Sequence, residues 1–270
     1  MWLFLLILVA SVSFAGEVRP VTRELVQSRF ARLRPTNEER ALELRRLFGE
    51  AGCTAPNYSE QKLLSSKTPN IICMLPGSSK ETVVVSAHFD KRGPGEGAID
   101  NWSGASLLPS LFECMRDGVH RLSFEFVGFT DEEKGLIGSR EYTNQLSKQR
   151  RPEILLDANI DSIGLAGPVR VWAQRSDDFL LTSAAVVADA QKIPLGANVM
   201  DRRYDSDAGP FIAWNIPVID FHSLTGETVK LLHTKGDNRG ALDPNSYYDQ
   251  YRFLVAYLGY LDATLQRANP

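Results

Sequence analysis

The chain has 270 residues, enough for one large α/β domain, and 43% of them are hydrophobic and 23% charged. This balance is ordinary for a soluble globular protein and excludes disordered, collagen-like and multi-span membrane chains. The net charge is -3, and 30 basic residues are interspersed with 33 acidic ones, so no clustered basic surface for nucleic-acid phosphates is expected.

Residues 1–15 predict an export signal. An apolar run from Trp2 to Ala10 is followed by Ser13-Phe14-Ala15, which places small residues at the -3 and -1 positions of a cleavage site. The mature domain would then span residues 16–270 and be secreted or periplasmic. No Lys or Arg precedes the apolar run, so an uncleaved anchor stays open, although the stretch is shorter than the ~20 residues of a membrane span.

The expected compartment bears on whether the three cysteines form a disulfide. In an oxidising environment Cys53 and Cys73 could pair and leave Cys114 free, but the sequence leaves this pairing open. Their spacings match no zinc motif, so none of them is expected to bind metal.

The first half of the chain predicts two helices and two strands. Residues 37–50 predict an amphipathic helix with Asn37 as its N-cap. Residues 82–87 form a continuous β-branched and small run, which is typical of a central strand covered on both faces. A helix is expected at 104–116, where Pro109 should introduce a kink, and a strand at 122–129. His120, between these two elements, is expected at the surface.

The second half continues the alternation. We predict a helix at 136–148, strands at 154–160 and 169–173, a helix at 178–190 and a strand at 218–221. The last helix is capped by Asp243, begins with Pro244 and carries an apolar stripe of Leu254, Leu258, Leu261 and Leu265. Strands alternating with helices predict an α/β fold with a mostly parallel sheet between helices, and ligands bind such sheets beyond the carboxyl ends of their strands.

Acidic and imidazole side chains follow three of the predicted strands or lie in loops near them. His88 and Asp90 come after the strand at 82–87, and residues two apart point the same way, so Asp90 can orient the imidazole. The remaining candidates are Asp100 in a glycine-rich turn, the pair Glu132 and Glu133, Asp161, and His233. Taken singly, each has a plain structural explanation, such as a helix cap, a solvated charge run or a turn residue.

Taken in this order, the five elements resemble the pattern of the M28 family of zinc peptidases from about residue 70 onwards. The elements are His88-Phe-Asp90, Asp100-Asn101, Glu132-Glu133-Lys-Gly135, Asp161 and His233-Thr234. The resemblance implies a single domain with a mixed, mostly parallel, twisted sheet of about eight strands between helices. It also implies a cis peptide after the bridging Asp, here Asp100-Asn101.

The resemblance assigns a role to each site residue. His88, Asp100, Glu133, Asp161 and His233 would bind two zinc ions, with Asp100 bridging them. Two imidazoles and three carboxylates, with no thiolate, suit Zn²⁺ better than Mn²⁺ or Co²⁺. Asp90 would orient His88, and Glu132 would be the general base for a metal-bridged hydroxide that attacks the peptide bond.

The favoured function is an exopeptidase acting on peptide substrates, most often an aminopeptidase in this family, while carboxypeptidase and dipeptidase activities stay open. Two rivals remain. Glutaminyl cyclase resembles the family and shares the Ser206-Asp207 and His233-Thr234 pattern, but Leu232 stands where cyclases generally have Trp. A non-catalytic binding module on the same scaffold is the other.

Three details of the pocket are left undecided. Ala208 stands after Asp207 where several family members have His, so the substrate contribution of that loop is in doubt. His222 either contacts substrate or makes a structural hydrogen bond. Residues 201–204 could form a lid or a pocket wall.

Overall fold

The computed structural model describes residues 18–174, 178–196 and 206–267. The predicted export signal and residues 201–204, for which a lid and a pocket wall were both left open, lie outside these residues. Within the described residues, no helix combines the length and the apolar composition that crossing a membrane requires.

In the described part of the chain, eight strands form one mixed sheet in the order β1-β2-β4-β3-β5-β8-β6-β7. Its central strands β4, β3, β5 and β8 run parallel, and antiparallel pairings attach β1 and β2 at one side and β6 at the other. The strands are β1 (Tyr58–Gln61), β2 (Asn70–Leu75), β3 (Thr82–His88), β4 (Ser123–Phe129), β5 (Ile154–Ile160), β6 (Val169–Ala173), β7 (Leu195–Gly196) and β8 (Val218–His222). The predicted mixed, mostly parallel α/β sheet is confirmed.

Helices cover both faces of the sheet. They are α1 (Arg23–Ala31), α2 (Asn37–Glu50), the single turn α3 (Ser103–Ala105), α4 (Leu108–Met115), α5 (Ile137–Gln145), α6 (Asp178–Gln191), α7 (Ala208–Ala213) and α8 (Pro244–Thr264). The larger apolar cluster includes buried residues of α2, α4, α6 and α8 against one face, and a smaller one includes Tyr142 of α5 and Phe211 of α7 on the other.

Two helix predictions are corrected. The N-cap of α2 is Thr36 rather than Asn37, because Thr36 and Glu39 form a reciprocal capping box. The helix expected at 104–116 is divided into α3 and α4. Pro109 therefore occupies the first turn of α4, where its missing N–H costs nothing, instead of kinking a continuous helix.

The structure also decides the cysteine pairing and corrects the place of His120. Cys53 and Cys73 form a disulfide that joins the loop after α2 to β2, while Cys114 is a free thiol. His120 is buried rather than at the surface. Its imidazole lies 3.1 Å from the Asp262 carboxylate of α8, because the loop before β4 is packed against that helix.

Candidate metal centre

Three of the predicted site segments lie at one edge of the sheet because β3, β4 and β5 are parallel neighbours. His88 is the last residue of β3, and Asp161 follows β5 directly. Glu132 and Glu133 form a short 3-10 turn after β4. The carboxyl ends of neighbouring parallel strands thus bring an imidazole and three carboxylates together, as the strand-end rule predicts.

A first group of possible metal ligands surrounds the buried His88. Its Nε2 lies 3.2 Å from Oδ1 of Asp100 and 3.7 Å from Oδ1 of Asp161. One donor atom from each of these three buried residues lies within 4.8 Å of the others. Residues separated by up to 73 positions therefore share a space the size of a coordination sphere.

A second group shares Asp100 with the first. Nε2 of His233 lies 3.2 Å from Oδ2 of Asp100 and 3.0 Å from the Glu133 carboxylate. Donor atoms of Asp100, Glu133 and His233 again lie within 4.8 Å of one another. Asp100 thus offers one oxygen to each imidazole, which is the geometry that a bridging carboxylate needs.

The turn that carries Asp100 is attached to the end of β5. The Asp100-Asn101 peptide is cis, as the family pattern leads one to expect. The Asn101 side chain accepts the N–H groups of Gly104 and Ser162, at 3.0 and 3.2 Å, and donates to the carbonyl of Ile160 at 2.8 Å. This amide therefore fixes the distance between Asp100 and the segment that contains Asp161.

Asp90 has more partners than the sequence indicates. Its Oδ1 lies 3.4 Å from Nδ1 of His88, the contact expected for an orienting carboxylate. The same carboxylate accepts the backbone N–H of Glu132 at 3.0 Å and that of Glu133 at 3.2 Å. Asp90 is fully buried, so one charge orients the imidazole and fixes the backbone of both glutamates.

The His233 loop approaches the centre across a glycine-rich segment. An added Cβ at Gly93, whose φ is +76°, would lie 2.5 Å from the carbonyl oxygen of His233, and one at Gly95 would lie 2.2 Å from that of Thr234. Asp237 accepts the N–H of Ile99 at 2.7 Å. Gly93 and Gly95, which precede the glycine-rich turn of Asp100, are the sequence signal for this close approach.

The electrostatics of the cluster reflect concentrated negative charge. Burial, opposed by His88 and reinforced by Asp207, raises the pKa of Glu132 to about 9. Burial lowers the pKa of His88, but Glu132 and Asp100 raise it well above its usual value. The hydrogen bond to Asp100 raises the pKa of His233 despite its partial burial. The two imidazoles lie within 4.0 Å of these acids. Acidic groups outnumber them here, so a bound cation would be stabilised by the surrounding negative charge.

The residues present fit a zinc site. Two imidazoles and three carboxylates form two donor groups that share one carboxylate, and nitrogen and oxygen donors of this kind suit Zn²⁺. The Nδ1 of His88 faces Asp90, which leaves Nε2 for a metal.

His222 and Asp207, which belongs to the undecided loop, are both buried. Nδ1 of His222 accepts the N–H of Leu224 at 3.1 Å, which is a structural hydrogen bond. Asp207 is buried as well, and burial raises its pKa to about 7.

Comparisons with known proteins agree with this fold. A model described as peptidase family M28 matches residues 70–258. A probable leucine aminopeptidase of Arthroderma otae is 26% identical over 204 residues, which are 71% of this chain and 57% of that protein. The chain spans about half the length of the curated relatives it matches.

Solved structures with the same fold include both aminopeptidases and a glutaminyl cyclase. The Legionella pneumophila LapA aminopeptidase has a TM-score of 0.78 at 19% identity, covering 91% of this chain and 73% of that one. A zinc aminopeptidase from Bacillus subtilis has a TM-score of 0.64 at 21% identity, covering 75% of this chain and 52% of that one. A glutaminyl cyclase from an Acidobacteriales bacterium has a TM-score of 0.71 at 16% identity, covering 89% of this chain and 93% of that one. At such identities these likenesses show the fold alone.

Proposed function

The chain belongs to peptidase family M28, and from this premise we propose that it is a zinc-dependent aminopeptidase. The observation that carries the proposal is the position of Asp100, whose two oxygens lie 3.2 Å from two different imidazoles. This arrangement favours two cations bridged by one carboxylate. Several relatives and structural neighbours are named as aminopeptidases, and we propose this activity on that likeness together with the donor set.

The proposed zinc ligands divide into two groups. His88, Asp100 and Asp161 would hold one ion, and Asp100, Glu133 and His233 the other. When bound, zinc polarises the peptide carbonyl and acidifies water. The task of the protein is to hold these donors in place, and Asp90 does so for His88, Glu132 and Glu133 together.

Glu132 is the proposed general base. Its carboxylate lies 4.0 Å from Nε2 of His88, beside the two donor groups, and its side chain is 10% exposed. From this position it can accept the proton of the attacking water and deliver it to the leaving amine. A carboxyl with a pKa near 9 would be protonated at neutral pH, so the base needs nearby positive charge to be ionised, and the donor groups supply places for that charge.

A substrate panel tests the proposal. Aminoacyl p-nitroanilides should be cleaved, their N-acetylated counterparts should not, and a chelator should abolish cleavage until zinc is restored. Cleavage confined to blocked amino termini would exclude an aminopeptidase, and full activity after metal removal would exclude zinc dependence.

Glu132→Gln separates metal binding from turnover. We expect this variant to retain zinc and to lose turnover by the 10²- to 10⁴-fold, roughly, that general acid–base catalysis supplies. Glu24→Gln is the matched control, because Glu24 is exposed in the first turn of α1, far along the chain from the centre. Undiminished turnover by Glu132→Gln would remove Glu132 from the proposed role.

Glutaminyl cyclisation is the second candidate, and the cyclase with a TM-score of 0.71 is the observation that supports it. By resemblance, cyclases use one zinc and generally have a Trp directly before the ligand His. In this chain Leu232 stands in that position, before His233. The presence of two donor groups, where a cyclase would need one, therefore favours the peptidase. Formation of pyroglutamate from glutaminyl peptides, without release of free amino acids, would reverse this preference.

We also propose that the protein is exported. The disulfide between Cys53 and Cys73 supports an oxidising compartment. Amino-terminal sequencing of the exported protein, with a start near Gly16 expected, tests the cleavage of residues 1–15.

A further inference from the structure

Arg40 of α2 is a fully buried cation outside the segment that the M28 model matches. A guanidinium has five N–H donors in a fixed planar fork, and burying such a group is costly unless the donors find acceptors. In this protein the acceptors are backbone carbonyls rather than a carboxylate. Arg40 binds the carbonyls of Arg34 at 2.9 Å, Phe89 at 3.1 Å and Gly97 at 3.2 Å, and also that of Glu96.

Three of these carbonyls belong to the two segments that carry metal ligands. Phe89 lies between His88 and Asp90, and Gly97 lies three residues before Asp100. One rigid group therefore connects the end of β3 with the start of the turn that presents the bridging carboxylate. The guanidinium also lies 5.9 Å from the ring centroid of Trp102, within the range of a cation–π contact.

The segment around Gly97 is shaped to admit this side chain. Gly97 has a φ of +59°, and a Cβ added there would lie 3.1 Å from an Arg40 nitrogen and 2.5 Å from Cβ of Lys91. A larger residue there would collide with Lys91 and crowd the guanidinium. Burial lowers the pKa of Arg40 to about 10, with Asp90 and Asp100 among the acids that oppose this, so the group stays charged at neutral pH.

We infer that Arg40 is a positioning residue for the metal centre, which sets the separation between His88 and Asp100 by bridging the backbones of their two segments. This inference rests on the proposed zinc site. Among the described residues, no hydrogen bond or ion pair links this side chain to a proposed ligand side chain. Arg40 therefore acts on zinc affinity, because it sets the distance between the His88 and Asp100 donor atoms that must share one coordination sphere.

Arg40→Met tests the inference, because methionine fills much of the volume but donates no hydrogen bond. We expect the zinc dissociation constant, measured by competition with a chromogenic chelator, to rise on the order of 10- to 100-fold, as for other residues that orient metal ligands. Arg40→Lys keeps the charge but cannot span three carbonyls, and should give an intermediate constant. Arg45→Met is the matched control, since Arg45 is on the same helix and pairs with Glu60 instead.

Three outcomes distinguish the ideas. If the wild-type chain binds no zinc, the proposed function fails first. If the wild type binds zinc and a folded Arg40→Met binds it equally well, only the positioning role is overturned. Folding is followed by circular dichroism of the metal-free proteins, and if Arg40→Met does not fold, Arg40→Lys decides: wild-type zinc affinity, or failure of this variant to fold too, overturns the inference.

Discussion

Asp90→Asn should weaken both the metal centre and the fold, because one buried carboxylate serves three groups. The carboxylate accepts the N–H of Glu132 at 3.0 Å and that of Glu133 at 3.2 Å, and it faces Nδ1 of His88 at 3.4 Å. Asparagine has the same shape but only one acceptor oxygen. Its NH₂ group must therefore face a donor, which leaves one of the two backbone N–H groups without an acceptor in a dry environment.

The size of the effect follows from these contacts. One buried, unsatisfied N–H costs about 1 to 3 kcal/mol. With a urea slope of about 3 kcal/mol/M, the unfolding midpoint of the metal-free protein should fall by about 0.3 to 1 M. The zinc dissociation constant should rise about 10- to 100-fold, because the imidazole of His88 loses its orienting charge.

The assay pairs urea unfolding in a chelator with zinc titration of the folded variant. Asp117→Asn is the control, because Asp117 has an 88% exposed side chain and should change neither quantity. An Asp90→Asn protein with wild-type zinc affinity and an unchanged urea midpoint would refute the idea that this carboxylate organises the centre.

Two further predictions concern stability. Replacing Cys53 and Cys73 by Ser should lower the unfolding free energy by about 3 kcal/mol in urea titrations, since the disulfide closes a loop with a sequence separation of 20, whereas Cys114→Ser should change it little. The hydrogen bond to Asp262 raises the pKa of His120, so this pair stabilises the fold fully below about pH 6.5 and less as the pH rises through the higher folded-state pKa. Unfolding curves across this range should show His120→Gln losing most at acid pH, and a pH-independent difference would contradict the linkage.

The central sheet could be predicted from sequence because buried parallel strands have a recognisable composition. The strands at 82–88, 123–129 and 154–160 are buried along their whole length, and their apolar runs are nearly continuous. Three strands were not predicted. The edge strands β1 and β7 are short and only partly buried, so neither alternation nor an apolar run marks them, whereas β2 was missed although most of it is buried. The position of the site followed from the central strands alone, since every candidate after β3, β4 and β5 had to reach the same edge.

The contacts that hold the ligands in place were not predictable in the same way. Metal ligands are side chains of few types, and their order along the chain is a pattern that a sequence displays. Arg40 donates to backbone carbonyls, and Asp90 accepts backbone N–H groups. Every residue has a carbonyl and nearly every residue has an N–H, so the sequence does not mark these partners. Which of them lacks a partner depends on where strands end and turns begin, and that is decided only by the fold.

A ligand pattern records the ligands and not the contacts that hold them in place. A chain that kept His88, Asp100, Glu133, Asp161 and His233 but lost the group at position 40 would still match the family pattern, because α2 precedes the matched segment. Its donors would nevertheless be held by fewer constraints, since the carbonyls of Phe89 and Gly97 would no longer be bridged. Zinc affinity is sensitive to such supporting contacts as well as to ligand identity. On the proposed function, the metal centre would therefore depend on more of the domain than its ligands, with α2 as part of its framework.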